Sequence, residues 1–267
     1  MRVTWLENAT GRFPRVALGQ FDGVHAGHRR LIGERRTVLS FDPHPQTVLS
    51  PDRPPRLLVS LARKIKLLEG IGAEELVLIR FDRARAAQSP EEFIQDVLVE
   101  RLGVDEVSVG ENFRFGHRAR GDASLLQADL RFGTRVVPLL HSAGEPVSST
   151  RIRRLIAEGD ISGAARILCS PVRLRGTVIA IPKAGRGATV RFADDSVLPP
   201  RARYRCASAA GHGVLRLVRC GPDPLAIEGI LHGFDVRPGD EVELELASEP
   251  RAPGAYAARR RAVAPHM

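Results

Sequence analysis

The sequence predicts an α/β chain: a doubly wound parallel sheet followed by a small all-β barrel. Through about residue 140, short apolar runs alternate with stretches of helical spacing, the pattern of strands covered by helices. After Pro171 the helical spacing gives way to short β-like runs separated by Gly, Pro and Asp, as in small closed barrels. A length of 267 residues leaves room for both folds.

In order, Arg15–Gln20 (RVALGQ) reads as a strand running into a glycine turn. A short helix follows, beginning near His28 and closed by Gly33. Thr37–Phe41 reads as the second strand, stopped by Asp42-Pro43-His44-Pro45, which can continue neither strand nor helix. Ser60 is an N-cap for a helix to Leu68, and Gly70 and Gly72 end it. Glu75–Phe81 is a strand. Ser89-Pro90-Glu91-Glu92 is a strong helix start, with cap, first-turn Pro and early carboxylates, and predicts a helix to about Leu102. Glu106–Val109 is a strand, Ala123–Phe132 a helix and Thr134–Leu139 a strand. Ser149–Glu158 and Ile161–Leu168 are helices. The β-like runs of the second part are Val172–Ile181, Ala188–Phe192, Arg203–Ala207, Val214–Val218, Ala226–Leu231 and Glu241–Leu246. The boundary falls near Cys169–Val172, giving a domain over 1–170, a barrel over 171–250 and a Pro/Ala-rich tail, 251–267, expected to be disordered.

A net charge of +9 comes almost wholly from arginine, since the only lysines are Lys64, Lys66 and Lys183. Guanidinium forks suit phosphate, but these arginines are scattered. No basic stripe interleaved with aromatics points to nucleic acid. Cys169, Cys206 and Cys220 share no metal-like spacing and read as reduced thiols of a cytoplasmic protein. No signal peptide and no membrane span are legible. Oligomeric state is not legible either.

The chemistry concentrates in GQFDGVHAGH, residues 19–28. A strand, a glycine-rich turn and a helix start give free N–H groups and close backbone approach to phosphate. His25 and His28 can hydrogen-bond phosphoryl oxygens there as charge develops. Zinc binding would need a further placed ligand that the neighbourhood lacks. A plain polar helix start is the remaining alternative.

GQFDGVHAGH resembles the first signature of nucleotidylyltransferases, and specifically the adenylyltransferase domain of bacterial FAD synthetases. Further segments are similar to that family in the same order: SFDPHP (residues 40–45), residues 55–81, SPEEFIQDVLVERLGVDEVSVGENFRFG (89–116), RARGD (118–122) and VSSTRIRRLIAEGDISGAARIL (147–168). The resemblance covers roughly residues 14–171. It implies transfer of AMP from ATP to FMN, giving FAD and pyrophosphate, with Mg²⁺ accompanying ATP. Positioning and charge stabilisation suffice for such a step, without a protein nucleophile.

Residue roles follow from the matched positions. Gly19, Phe21, Asp22, Gly23, His25, Gly27 and His28 match the first signature, with His25 and His28 on the phosphates. Ser148, Ser149, Thr150, Arg151 and Arg153 match the second, and Arg153 is expected at the leaving pyrophosphate. For FMN, the resemblance implies Phe41, His44 and Pro45 in the FDPHP turn, His44 near the flavin phosphate, together with Asn112 and Phe115. Asn112 would pair with the flavin's polar edge; for Phe113 and Phe115, core packing is the alternative. One departure is the short link between HAGH and the second strand, only residues 29–36, where relatives carry a longer helix.

In most relatives the barrel is a riboflavin kinase marked by Pro-Thr-Ala-Asn. Here RGTVIAIPKAGRGATVRF (residues 175–192) begins similarly, but Ala188-Thr189-Val190-Arg191 stands where that motif is expected. Arg191 would oppose a metal ion. Glu228, in AIEGILHGF, is the candidate for the kinase's base. The barrel is therefore expected to lack kinase activity. The alternatives are a bifunctional enzyme, transfer to another phosphate such as phosphopantetheine or glycerol phosphate, which Asn112 and SFDPHP argue against, and a non-catalytic flavin-binding regulatory protein.

Overall fold

The computed structural model describes residues 1–181, 187–193, 195–219 and 227–247. The expected tail lies outside these, as do Cys220, Lys183 and the centre of the glycine-rich stretch of the barrel.

The first part is a six-stranded parallel sheet in the order β1-β4-β3-β2-β5-β8. Its strands are β1 (Arg2–Trp5), β2 (Arg15–Leu18), β3 (Thr37–Asp42), β4 (Glu75–Arg80), β5 (Glu106–Gly110) and β8 (Gly133–Val137). The edge strand β1 escaped the sequence reading, because four residues of half-exposed chain carry little pattern. The inner strands are buried on both faces, as parallel sheets require. Val16, Leu18, Leu39, Val77, Ile79, Val107 and Val109 form one core. Ala17, Val38, Leu76 and Leu78 form the other. Two minor two-stranded pieces, β6 (Arg114–Phe115) with β7 (Gly121–Asp122) and β9 (His141–Ser142) with β10 (Glu145–Pro146), are antiparallel.

The helices are α1 (Ala26–Ile32), α2 (Pro45–Leu49), α3 (Leu61–Glu69), α4 (Arg83–Ala87), α5 (Pro90–Phe93), α6 (Ala123–Ala128), α7 (Ser149–Ala157) and α8 (Ile161–Leu168). Several differ from expectation. The first starts at Ala26, with His25 as its cap, rather than near His28. The turn after β3 does stop the strand, but Pro45 opens α2, since a proline's fixed φ suits a first helical position. The run after Ser89 reaches Arg101 as expected, but Ile94–Arg101 is π-helical; Leu102 N–H donates to Val97 O, and the wider turn brings Val97 and Leu102 together in the core. Helix α6 stops at Ala128, short of Phe132, because the Asp129 carboxylate binds Arg131's backbone N–H and guanidinium instead.

The second part is a closed antiparallel barrel, β11-β12-β15-β14-β13-β16. Its strands are β11 (Arg173–Ala180), β12 (Ala188–Phe192), β13 (Arg203–Ser208), β14 (Gly211–Arg219), β15 (Ile227–Phe234) and β16 (Glu241–Leu246). Val178, Val190, Leu215, Leu231 and Leu244 fill it and share one apolar cluster with Ile152, Ile156, Ile161 and Ile167 of α7 and α8.

Strand order places β2 at the switch point, with β3 on one side and β5 on the other. Ligands of doubly wound sheets bind beyond the strand ends at such a point.

Candidate active site

Beyond the ends of β2, β5 and β8 lies a cavity of about 220 Å³. Gly19, Phe21, His25, Gly27 and His28 line it from the first signature, Ser148 and Ser149 from the second, and Asn112 and Phe113 from the loop after β5.

The signature turn is tightly wound. Phe21 and Val24 adopt φ of +54° and +44°, and Gly23 sits between them at +85°. Left-handed backbone at two non-glycine residues is strain of the kind that clusters at functional sites. Gly23 faces Leu58 and Leu168 so closely that a Cβ would lie 3.0 Å from each. Gly27 lets α1 approach the His25 ring; a Cβ there would lie 3.2 Å from it.

His25 accepts the His28 N–H through Nδ1 at 3.3 Å. The two imidazoles stack with centroids 3.5 Å apart and planes 14° from parallel. Phe21 meets His28 edge-on at 5.3 Å. Burial pushes the His25 imidazole down to about 4, and the Arg153 charge acts in the same sense. Burial, then His25 and Lys64, holds His28 well below the ordinary histidine range. Both rings are therefore neutral at pH 7. The Nδ1 of His28 is buried and has no hydrogen-bond partner among the described residues.

Behind the cavity, Asp22 is the hub. Its carboxylate accepts the N–H groups of Leu58, at 3.1 Å, and Val59, at 3.3 Å, and the Arg153 guanidinium at 2.5 Å. Burial raises its pKa against these charges and hydrogen bonds. The Ser149 hydroxyl donates to Asp22 O at 2.9 Å, and Arg153 Nε donates to Arg56 O at 2.6 Å. The second signature thus grips the first from behind. Ser148 caps α7 by accepting Arg151 N–H at 3.2 Å.

The remaining expected residues lie elsewhere. Arg153 and Asp22 pair behind the cavity rather than lining it, and Gly23 packs against Leu58 and Leu168. Arg151 donates to the carbonyls of Ser142 and Glu145 at 2.8 and 2.9 Å, fastening the β9–β10 hairpin. Thr150 is exposed. Phe115 is buried against Phe93 and Phe113, so of Phe113 and Phe115 it is Phe113 that reaches the cavity. Phe41 packs edge-on to Phe81 in the core. His44 caps α2 through Nδ1, with Pro45 next to it. Burial, aided by the Arg153 and Lys64 charges, lowers His44 to about 4.

Sequence reasoning missed Lys64. Its Nζ is buried, donating to Gln20 O at 2.8 Å and Ser40 Oγ at 3.4 Å. Burial pushes the ammonium down to about 8 against the pull of Asp22 and Asp42. The signal was there: Lys64 stands four residues before the buried Leu68, on the apolar face of α3. Phe113 gave no such signal.

No cluster of three or more His, Cys, Asp or Glu side chains among the described residues could hold a metal ion. Asp22, the carboxylate of the signature, is engaged by Arg153 and the Leu58 and Val59 amides. In the barrel, Arg191 and Glu228 face each other across β12 and β15, with Arg191 Nη2 3.3 Å from Glu228 Oε1. No helix among the described residues is long and apolar enough to cross a membrane.

The sequence model of FAD synthetase matches residues 10–151. The bifunctional riboflavin kinase/FMN adenylyltransferase of Escherichia coli (strain K12) is 34% identical over 184 residues, covering 64% of this chain and 59% of that protein. Its namesake from Bacillus subtilis (strain 168) is 32% identical over 207 residues, covering 71% of this chain and 65% of that one. The matches thus span less than two thirds of these relatives. A crystal structure of a macrolide-efflux protein from Streptococcus pneumoniae superposes with a TM-score of 0.77 at 22% identity, over 94% of this chain and 90% of that one. At that identity the likeness speaks to the fold alone.

Proposed function

The chain belongs to the FAD synthetase family, and from that premise we propose that it is an FMN adenylyltransferase, joining AMP from ATP to FMN. The observation that carries this is the convergence of the stacked His25/His28 pair, the start of α7 and Asn112 on one cavity at the switch point.

A phosphate oxygen of FMN attacks the α-phosphorus of ATP. The new O–P bond forms as the bond from that phosphorus to the bridging oxygen breaks, and pyrophosphate leaves. The protein's part is to place the phosphates and stabilise charge. His25 and His28 hold the phosphates, entering as neutral rings and gaining proton character as negative charge arrives. Gly19 and Gly27 let the backbone approach, and Ser148 and Ser149 present the start of α7. Asn112 takes the polar edge of the flavin, with Phe113 as its apolar neighbour. His44 and Pro45 remain the candidates for the FMN side, with Phe41 and Phe115 supporting from the core. Asp22 and Arg153 act by holding the signatures together, with Arg151 fixing the hairpin beside them. Magnesium enters with ATP, held by its phosphates and water, as this ion's coordination favours.

Residues 1–170 form the transferase domain in this reading. The barrel of residues 171–250 lacks riboflavin kinase activity, since Arg191 neutralises Glu228 and opposes a metal ion. Free thiols at Cys169 and Cys206 suit a reducing cytoplasm.

The test supplies FMN, ATP and magnesium to the purified protein and follows FAD and pyrophosphate. Stoichiometric appearance of both supports the reading; tight FMN binding without FAD supports a regulatory flavin-binding role instead. A second incubation, with riboflavin in place of FMN, should yield no FMN. Rapid FMN formation would establish the bifunctional alternative.

A further inference from the structure

Besides the apolar cluster on α7 and α8, the barrel reaches the nucleotide site through a four-residue stretch, residues 56–59. From Arg56 to Val59, one backbone group meets the barrel, one meets α7 and two meet the signature turn. Arg56 O accepts from Arg153 Nε at 2.6 Å. Leu57 N–H donates to Asp195 O, in the barrel loop, at 2.6 Å. Leu58 and Val59 turn their N–H groups to the Asp22 carboxylate. The Arg56 side chain returns to the barrel, with Nη1 3.2 Å from Ser196 O. Leu57 and Ser196 form an isolated parallel bridge, and Ser196 is itself held by its N–H to Ala193 O at 2.9 Å. Leu58 packs against the apolar cluster shared by the barrel, α7 and α8.

We propose that Asp195 and Ser196 of the barrel position Asp22 and Arg153 through Arg56–Val59, making the barrel a working part of the nucleotide site. The physical reason lies in the turn itself. Phe21, Gly23 and Val24 hold left-handed backbone, and such conformations persist only where the surroundings over-determine them. Asp22 lies inside that stretch, and two of its partners are amides of an otherwise irregular segment. That segment is fixed on its other side by the barrel. Residues in this stretch act through Asp22 and touch no reacting atom, so they are positioning residues. The inference rests on the adenylyl-transfer reading for its catalytic consequence, but not for the brace itself.

The test compares wild type with Arg56→Ala, Arg56→Lys and Leu57→Pro in the full chain. Arg56 is exposed, so its truncation leaves the cores intact; Leu57→Pro deletes the N–H that binds Asp195. Hydrogen exchange at the Leu58 and Val59 amides should quicken about tenfold in Arg56→Ala and Leu57→Pro, while the amides of β2 stay protected. FAD formation should lose about tenfold in kcat, with KM for ATP and FMN within about twofold, the mark of misplacement rather than lost binding. Arg56→Lys, which keeps a donor for Ser196 O, should restore most of both. Unchanged exchange in Arg56→Ala overturns the brace, and faster exchange with wild-type kcat overturns its catalytic role. If Leu57→Pro does not fold, Arg56→Ala decides. If the wild-type protein makes no FAD, the functional reading fails, and the exchange measurement still decides the brace.

Discussion

Arg153 donates from Nη2 to Asp22 Oδ2 at 2.5 Å, joining residues 131 positions apart. This contact ties the helix of the second signature to the turn of the first. Asp22→Asn keeps the shape but sets an amide N–H₂ among donors and leaves the guanidinium without its counter-charge. Breaking such a buried pair should cost about 2–4 kcal/mol of stability. FAD formation should fall at least about tenfold. Denaturant unfolding alongside the FAD assay checks both; wild-type values in each would show the pair to be idle.

His28 carries the heaviest catalytic expectation. It lines the cavity and stacks on His25. His28→Ala should lower kcat by about 100-fold or more, the usual loss when a preorganised donor to developing charge is removed. Circular dichroism should be unchanged. Retained turnover would remove the histidine pair from the phosphate site.

The pH dependence of stability follows from the buried imidazoles. His25 and His44 titrate near 4 in the folded chain against an ordinary value of 6.5. Between those values the unfolded chain binds more protons, so stability falls as pH drops from about 6.5 toward 4. Each group contributes a slope of at most about 1.4 kcal/mol per pH unit, less for His44, which is more open to solvent. His25→Gln, which cannot titrate, should flatten this decline. Thermal midpoints at pH 7, 6 and 5 measure it, and parallel curves for the two proteins would contradict the burial argument.

Lys64→Met probes the charge beneath the signature turn. Methionine fills similar space and removes the cost of burying an ammonium, but leaves Gln20 O with the Ser40 hydroxyl as its remaining donor. Stability should change by no more than about 1 kcal/mol. Turnover should drop about tenfold as the turn loosens. An unchanged kcat would reduce Lys64 to a packing residue.

Much of this was legible because local chemistry and fold agree. The strand cores of β2 to β5 announce themselves as apolar runs, and the caps Ser60, Ser89 and Ser148 all stand where the sequence puts helix starts. The alternating barrel strands were legible for the same reason. What stayed hidden depends on partners distant in sequence. Arg153 looks like a phosphate ligand until Asp22 is seen beside it. Phe113 and Phe115 are indistinguishable until the short β6–β7 pairing turns one inward. The π turns of Ile94–Arg101 leave no mark on a helical hydrophobic pattern. Arg56 and Leu57, in a proline-flanked stretch, carry no motif; only Asp195 and Ser196 give them meaning.

The cluster in which Ile152, Ile156 and Ile161 meet Val190, Leu215 and Leu244 makes the two halves thermodynamic co-tenants. Neither can melt without baring the other's interior, so calorimetry should record one endotherm. Loss of an enzymatic activity in the barrel would cost this shared interior nothing, whereas excision at Pro171 would strip one wall from it. In a chain built this way the barrel is tied to the sheet domain by packing, whatever chemistry either performs.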